Sequence, residues 1–198
     1  MMDWEKDLPP IARERLSRIG ELTQEEKQKM IDSDRVNSLL SEFYQGKIDA
    51  EGLWKRLKNE GRPSLLREAQ TSLIDSLGLG NTPAELQRRK EGILAVETLK
   101  EEQNTPVVDL NLEQMEDLRK RYTAEIDQAY NSLRIEVEGD PQLRVKQVQQ
   151  GQSTMLVQLT VDEAIKQLPQ WQDFLSKHQR RYTEEFARVA EALKRELR

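Results

Sequence analysis

The chain has no cysteine and, among its 198 residues, a single histidine, His178. Without thiols it can form no disulfide bond, no thiolate metal site and no cysteine nucleophile. One imidazole per chain also excludes the multi-histidine type of zinc site. No stretch supplies the ligand pattern of a calcium loop or the Gly-rich, Lys-Ser/Thr signature of a phosphate loop. We therefore expect neither a metal ion nor a cofactor.

Apolar residues are also scarce. Hydrophobic residues make up 36% of the chain, aromatic residues 5% and charged residues 34%, and the mean hydropathy is −0.82. Ordinary globular domains contain roughly 45–50% apolar residues, so a thick core is not expected. Long helices that each bury one thin apolar stripe are the usual solution for such a composition. The fold class we predict is mainly α.

No hydrophobic run approaches the roughly 18 residues of a membrane-spanning helix. The first seven residues include four charged side chains, where a signal peptide needs an apolar stretch. Acidic residues exceed basic ones, 36 against 31, so the formal net charge is −5 and general affinity for nucleic acid is low. We expect a cytoplasmic protein without membrane contact.

Residues 1–79 are predicted to form an N-terminal region of short helices. After Pro9-Pro10 an apolar pattern indicates a helix over about 9–20, and a capping box formed by Thr23 and Glu26 predicts another over 24–32. Further helices are expected from Asp34, after Asp49 and after Ser64. The turn-forming residues 78–81 then mark a domain boundary.

Residues 82–198 are predicted to form a long helical arm. Apolar residues recur every three or four positions over 115–137, and a matching apolar stripe follows over 161–197, where Pro169 is expected to kink or split the run. Neither stripe can be buried by its own helix. An antiparallel, coiled-coil-like hairpin of two helices buries both stripes against each other.

Between the two stripes, residues 143–160 change to an alternating pattern with a period of two, which is typical of strands. Gln150-Gly151-Gln152 lies between the two alternating runs, so the tip of the arm is predicted to be a β-hairpin. An isolated hairpin is marginally stable in water, so this one should pack on the helices or pair its edge with another chain. The predicted interface consists of Leu143, Val145, Val148, Met155, Val157 and Leu159.

No pattern indicates a catalytic site. With 36 carboxylates, neighbouring acidic pairs on solvated helix faces are unavoidable, and no nucleophile with a matching base stands out. We predict a non-enzymatic protein of the scaffold or adaptor type. It would bind a protein partner or a second copy of itself through the arm and the hairpin edge.

Two further hypotheses concern charged groups. Local basic clusters at Arg88, Arg89, Lys90 and at Arg180, Arg181 could contact phosphates, which makes a nucleic-acid or nucleoprotein accessory factor the alternative function. His178 falls on the apolar stripe, where its protonation would place a charge in the helix seam and make the arm sensitive to pH.

Overall fold

The computed structural model describes residues 23–150 and 153–197. In these ranges the chain forms α1 (Gln24–Tyr44), α2 (Ala50–Glu60), α3 (Pro63–Asp75), α4 (Pro83–Glu97), α5 (Thr105–Gly139), a 3-10 helix (Pro141–Arg144), β1 (Val145–Gln150), β2 (Ser153–Gln158), α6 (Val161–Gln167) and α7 (Pro169–Glu196). The fold class is mainly α with a small β-hairpin, as predicted. The helix expected over 9–20 lies outside the described residues.

Side-chain caps start four of the seven described α-helices. Within the described residues, α1, α4 and α6 each begin with a capping box on Thr23, Thr82 or Thr160. In each box the threonine hydroxyl accepts from a backbone N–H one turn on, and a glutamate accepts from the threonine N–H. Each such cap contributes about 0.5–2 kcal/mol. The predicted cap at Ser64 is wrong, because α3 already begins at Pro63, which suits the first helical position.

Helix α1 runs unbroken to Tyr44, so the prediction of one helix over 24–32 and a second from Asp34 is wrong. The polar residues near the expected break do not interrupt the helix. The buried carboxylate of Asp32 instead accepts hydrogen bonds from Gln28 Nε2 and from the Arg62 guanidinium at the start of α3. The positive charge of Arg62 thereby neutralises the negative charge of Asp32, and the helix continues.

The larger core is built by α1 to α5 and the C-terminal half of α7. Its fully buried side chains include Phe43, Leu53, Leu73, Ile93, Leu112, Met115 and Leu193. Side chains from both sides of the predicted boundary at residues 79–82 belong to this one core. Residues 78–81 therefore form a turn between helices that share a core.

Gly92 of α4 lies directly against the Phe43 ring of α1. A Cβ atom at Gly92 would lie 2.8 Å from Cζ of Phe43 and 3.3 Å from Cδ2 of Leu73. The absence of a side chain at Gly92 is what admits the Phe43 ring to this position.

A buried polar pair also joins the helices of the larger core. The carboxylate of Glu97 accepts from Gln70 Nε2 at 2.7 Å, from Lys100 Nζ at 3.1 Å and from the backbone N–H of Asn104 at 2.6 Å. Burial alone would raise the pKa of Glu97, but these hydrogen bonds together outweigh it and hold the pKa below its ordinary value. The ionised carboxylate ties α3 to the turn between α4 and α5.

Helices α5 and α7 form the predicted antiparallel pair. Tyr122 of α5 contacts Tyr182 of α7, whereas Tyr130, two turns further along α5, contacts Trp171 near the start of α7. Leu168 separates α6 from α7 ahead of Pro169, as expected. In the described ranges no helix combines the length and the apolar content needed to cross a bilayer.

Candidate functional site

The hairpin at the tip of the arm consists of two six-residue antiparallel strands, β1 and β2. Opposed residues are Val145 and Gln158, Lys146 and Val157, Gln147 and Leu156, Val148 and Met155, Gln149 and Thr154, and Gln150 and Ser153. The hairpin thus spans 145–158, two residues less at each end than the predicted range of 143–160. Because opposed residues point to the same face, the register decides which side chains form each face of the hairpin.

Among residues 145–149 and 154–158, one face of the hairpin is apolar except for a single lysine. Val148, Met155 and Val157 lie on this face together with Lys146. The opposite face carries Val145 and Leu156 among glutamine and threonine side chains.

Every residue of 145–149 and 154–158 is exposed. The five apolar side chains retain between 40% and 67% of their exposure. Folding of this chain therefore leaves an apolar surface on both faces of the hairpin, and in the described part of the chain no helix covers either face.

In the part of the chain that the structure describes, no third strand pairs with either edge of the hairpin. Leu159 N donates to the carbonyl of Arg144 at 2.7 Å, which identifies this pair as a hydrogen-bonded one. Hydrogen-bonded and non-hydrogen-bonded pairs alternate along an antiparallel ladder. The N–H and C=O groups of residues 145, 147 and 149 in β1, and of 154, 156 and 158 in β2, therefore point away from the partner strand. Both outer edges can accept a further strand.

Two of the six predicted interface residues belong to the base of the hairpin instead. Leu143 lies in the 3-10 helix and Leu159 follows β2, and both are half-buried against the smaller core. Their alternation with the strand residues continued past the strand ends, which is why the pattern included them. The exposed apolar surface of the hairpin is formed by Val145, Val148, Met155 and Val157, and by Leu156, which the predicted set omitted.

A second, smaller core supports the hairpin. It contains the buried residues Val137, Ala164, Ile165 and Trp171. The Tyr130 ring packs edge-on against Trp171, and the Tyr130 hydroxyl donates to the Asp162 carboxylate. Lys146 Nζ donates to Gln167 Oε1 at 2.7 Å and links β1 to the end of α6. The end of the hairpin next to α5 and α6 is therefore attached to a packed core.

His178 lies in the seam of the arm, with 5% of its surface exposed. Its ring stacks on Tyr122 and Phe174 at centroid distances of 5.1 and 4.9 Å, and its Nε2 lies 3.2 Å from the carbonyl oxygen of Tyr122. Its Nδ1 lies 3.4 Å from the Glu125 carboxylate. The seam position is as expected, and the sensitivity to pH stays a prediction.

Glu125 is the charged group of that seam. It accepts from the Tyr182 hydroxyl at 2.8 Å and from Arg181 at 2.6 Å. The hydrogen bond from Tyr182 lowers the pKa of Glu125 more than partial burial raises it, and Arg181 lowers it further. The Glu125 carboxylate of α5 thus contacts three side chains of α7, those of His178, Arg181 and Tyr182.

The basic clusters make contacts within the protein. Lys90 Nζ donates to Glu116 at 2.7 Å, Arg88 donates to the carbonyl of Tyr44 at 3.2 Å, and the Arg89 guanidinium lies 5.4 Å above the Tyr44 ring. In α7, Arg180 pairs with Glu184 at 2.9 Å and Arg181 with Glu125. These pairings reduce the positive potential that phosphates would meet. Nucleic-acid binding stays a prediction, tested by oligonucleotide titration at two salt concentrations.

A groove of about 800 Å³ between α2, α3 and the turn after α4 was not foreseen from the sequence. Trp54 lines it, with its Nε1 donating to Thr98 Oγ1 at 3.1 Å and Lys58 lying 4.4 Å above the ring. Its remaining charged lining includes both Lys100 and Glu101, so it favours neither sign of ligand charge. Among the described residues, no group of three or more His, Asp or Glu side chains could hold a metal ion.

The fold and the hairpin define a class of mainly helical protein in which an antiparallel helix pair carries an exposed two-stranded tip. The chain belongs to a family of unknown function, DUF6657, whose model matches residues 51–198. The match includes the hairpin and both long helices, whereas α1 precedes it. No curated protein and no solved structure matches the chain.

Proposed function

We propose that this is a non-enzymatic cytoplasmic protein that binds a protein partner by adding a strand to the edge of its hairpin. The observation that carries the proposal is the exposure of five apolar side chains on a sheet to which the described residues contribute two strands and no third. The helices would hold this sheet at the end of an arm and supply no chemistry of their own.

The physical argument is that such a hairpin is incompletely stabilised alone. Two-stranded hairpins are marginal in water, and a third strand adds main-chain hydrogen bonds and covers apolar area. Natural sheets usually protect open edges with charged residues, proline or bulges. Strand β1 has one such residue, Lys146, and β2 has none over 153–158. The unprotected edge favours a binding role.

The larger core would not depend on this surface. Apart from Leu77 and Leu197, its buried residues belong to helices, and none of the strand residues 145–149 or 154–158 takes part in it. Changes on the hairpin should therefore impair binding while the helical body remains folded. This separation makes the proposal testable by substitution in the full-length protein.

The test is site-specific photo-crosslinking in cells that express the protein natively. A photoreactive residue replaces Leu156 on the hairpin in one variant and Leu110, an equally exposed apolar residue of α5, in the control. We expect a defined protein adduct from position 156 and none from position 110. Absence of any adduct at 156, or the same adducts at both positions, would refute the proposal.

A further inference from the structure

We infer that the strand added to β2 is β2 of a second copy of this chain, giving a two-fold symmetric dimer with a four-stranded antiparallel sheet. The inference rests on the proposed function and specifies its partner. It follows from the register of the hairpin and from the residues that the register places at the β2 edge.

The free backbone groups of β2 fit a second copy of themselves. Residues 154, 156 and 158 point their N–H and C=O groups outwards, and Leu156 is the middle one. A two-fold axis at Leu156 pairs it with Leu156 of the second copy, and pairs Thr154 with Gln158 in both directions. All outward groups of the two strands then meet as hydrogen-bonded pairs.

The same axis makes the side chains complementary. Met155 comes to oppose Val157 of the second copy, and Val157 opposes Met155. Together with Val148 from each copy, these residues form one continuous apolar face across the four strands. Lys146 falls at the two outer corners of that face, where its ammonium group keeps its hydrogen bond to Gln167. Cross-strand apolar pairs of this kind stabilise sheets.

The β1 edge is a poorer match to itself. Pairing β1 with a second β1 about Gln147 would place Lys146 opposite Val148 in both directions and put a charge inside the apolar face. Lys146 is moreover held by Gln167 of α6. Strand β2 has no charged residue, so two β2 edges meet without like-charge contacts. The symmetric pairing therefore selects β2.

Pairing of six-residue strands buries less area than the roughly 1,200–2,000 Å² of a stable interface. We therefore expect a weak dimer with a Kd in the roughly micromolar to millimolar range. Each copy also has a net charge of −5, so association should strengthen as added salt screens the repulsion.

The test measures the solution mass of the full-length protein by sedimentation equilibrium from about 1 µM to 1 mM, the range over which a weak dimer of this kind forms. We expect the mass to rise from 23.1 kDa towards twice that value. Leu156→Pro removes an outward N–H and should weaken association at least tenfold, whereas Gln147→Pro removes an outward N–H from β1 and should leave it unchanged. A wild-type monomer throughout, or a Leu156→Pro variant that associates like wild type, would overturn the inference.

A charge-swap experiment keeps the backbone intact in case proline disturbs the hairpin. Leu156→Lys alone and Leu156→Glu alone should be monomeric, because each places two like charges at the two-fold axis. An equimolar mixture of the two should associate again. If the mixture stays monomeric while wild type associates, the β2 pairing is wrong.

The two proposals fail separately. A purified protein that remains monomeric, combined with a crosslink from position 156 to a different protein, refutes the symmetric dimer and leaves the proposed function standing. A monomer without any adduct at position 156 refutes both.

Discussion

Replacing Gly92 with alanine should destabilise the protein, although alanine is the better helix former. The added Cβ would lie 2.8 Å from Cζ and 2.9 Å from Cε1 of Phe43, and 3.3 Å from Cδ2 of Leu73. Carbon atoms in favourable contact lie about 3.5–4.0 Å apart, so the methyl group overlaps the ring by several tenths of an ångström. Phe43 and Leu73 are both fully buried, so neither side chain has an exposed end that can turn out into solvent.

Two opposing effects set the size of the loss. The gain in helix propensity from Gly to Ala is about 1 kcal/mol, and overpacking of a filled core costs about 1–3 kcal/mol. Because the clash at Gly92 involves aromatic ring atoms with no exposed end, we expect a cost near the upper value. The net loss is then about 1–2 kcal/mol, which corresponds to a fall in Tm of about 2–8 °C for a chain of this size.

Thermal and urea unfolding followed by circular dichroism measure the effect. The matched control is Gly139→Ala in α5, where a Cβ would have no neighbour within 4 Å, so stability should stay the same or rise by up to about 1 kcal/mol. Phe43→Leu should cost less in the Gly92→Ala protein than in wild type, since the shorter side chain relieves the clash. A Gly92→Ala protein as stable as wild type would refute the close-packing argument.

Two further predictions concern buried and paired carboxylates. Glu97→Ala leaves the buried amide of Gln70 without its acceptor, so urea unfolding should show a loss of about 1–3 kcal/mol, and an unchanged midpoint would contradict the buried network. The hydrogen bonds from Lys90 and then Lys120 lower the pKa of Glu116 to about 2. The contribution of this depressed pKa to the free energy of unfolding is complete above about pH 5 and is lost as the pH falls towards 2. It amounts to about 0.5–1 kcal/mol, because the ion pair of Glu116 with Lys90 is partly exposed. Glu116→Gln should therefore lose stability at pH 7 but not at pH 2, whereas the exposed Glu113→Gln on the same helix should change stability at neither pH.

The hairpin shows how far local pattern carries a prediction. Alternation over 143–160 identified two strands, because a period of two is a property of the backbone that needs no tertiary contact. The same alternation could not show where the strands stop. Leu143 and Leu159 are apolar like Val145 and Val157, and only the smaller core against which they pack separates them from the exposed set.

Charged residues show the opposite case. Arg88, Arg89 and Lys90 form a basic cluster in the sequence, yet the structure directs them to Tyr44 and Glu116, which lie about 45 and 26 positions away. Asp32 likewise pairs with a residue distant in sequence, Arg62. Pairing between residues far apart in sequence depends on how helices pack, which the composition of one segment does not contain.

By itself the sequence determined the elements of this protein: the mainly helical class, the capping box at Thr23, the helix break ahead of Pro169 and the strand pair at the tip. These follow from interactions between residues a few positions apart. Only the tertiary structure decided that the regions on both sides of residues 78–81 share one core, that Gly92 admits the Phe43 ring and that the described helices leave the hairpin uncovered. Those features depend on which apolar faces meet, and close packing of distant side chains settles that only when the whole chain has folded.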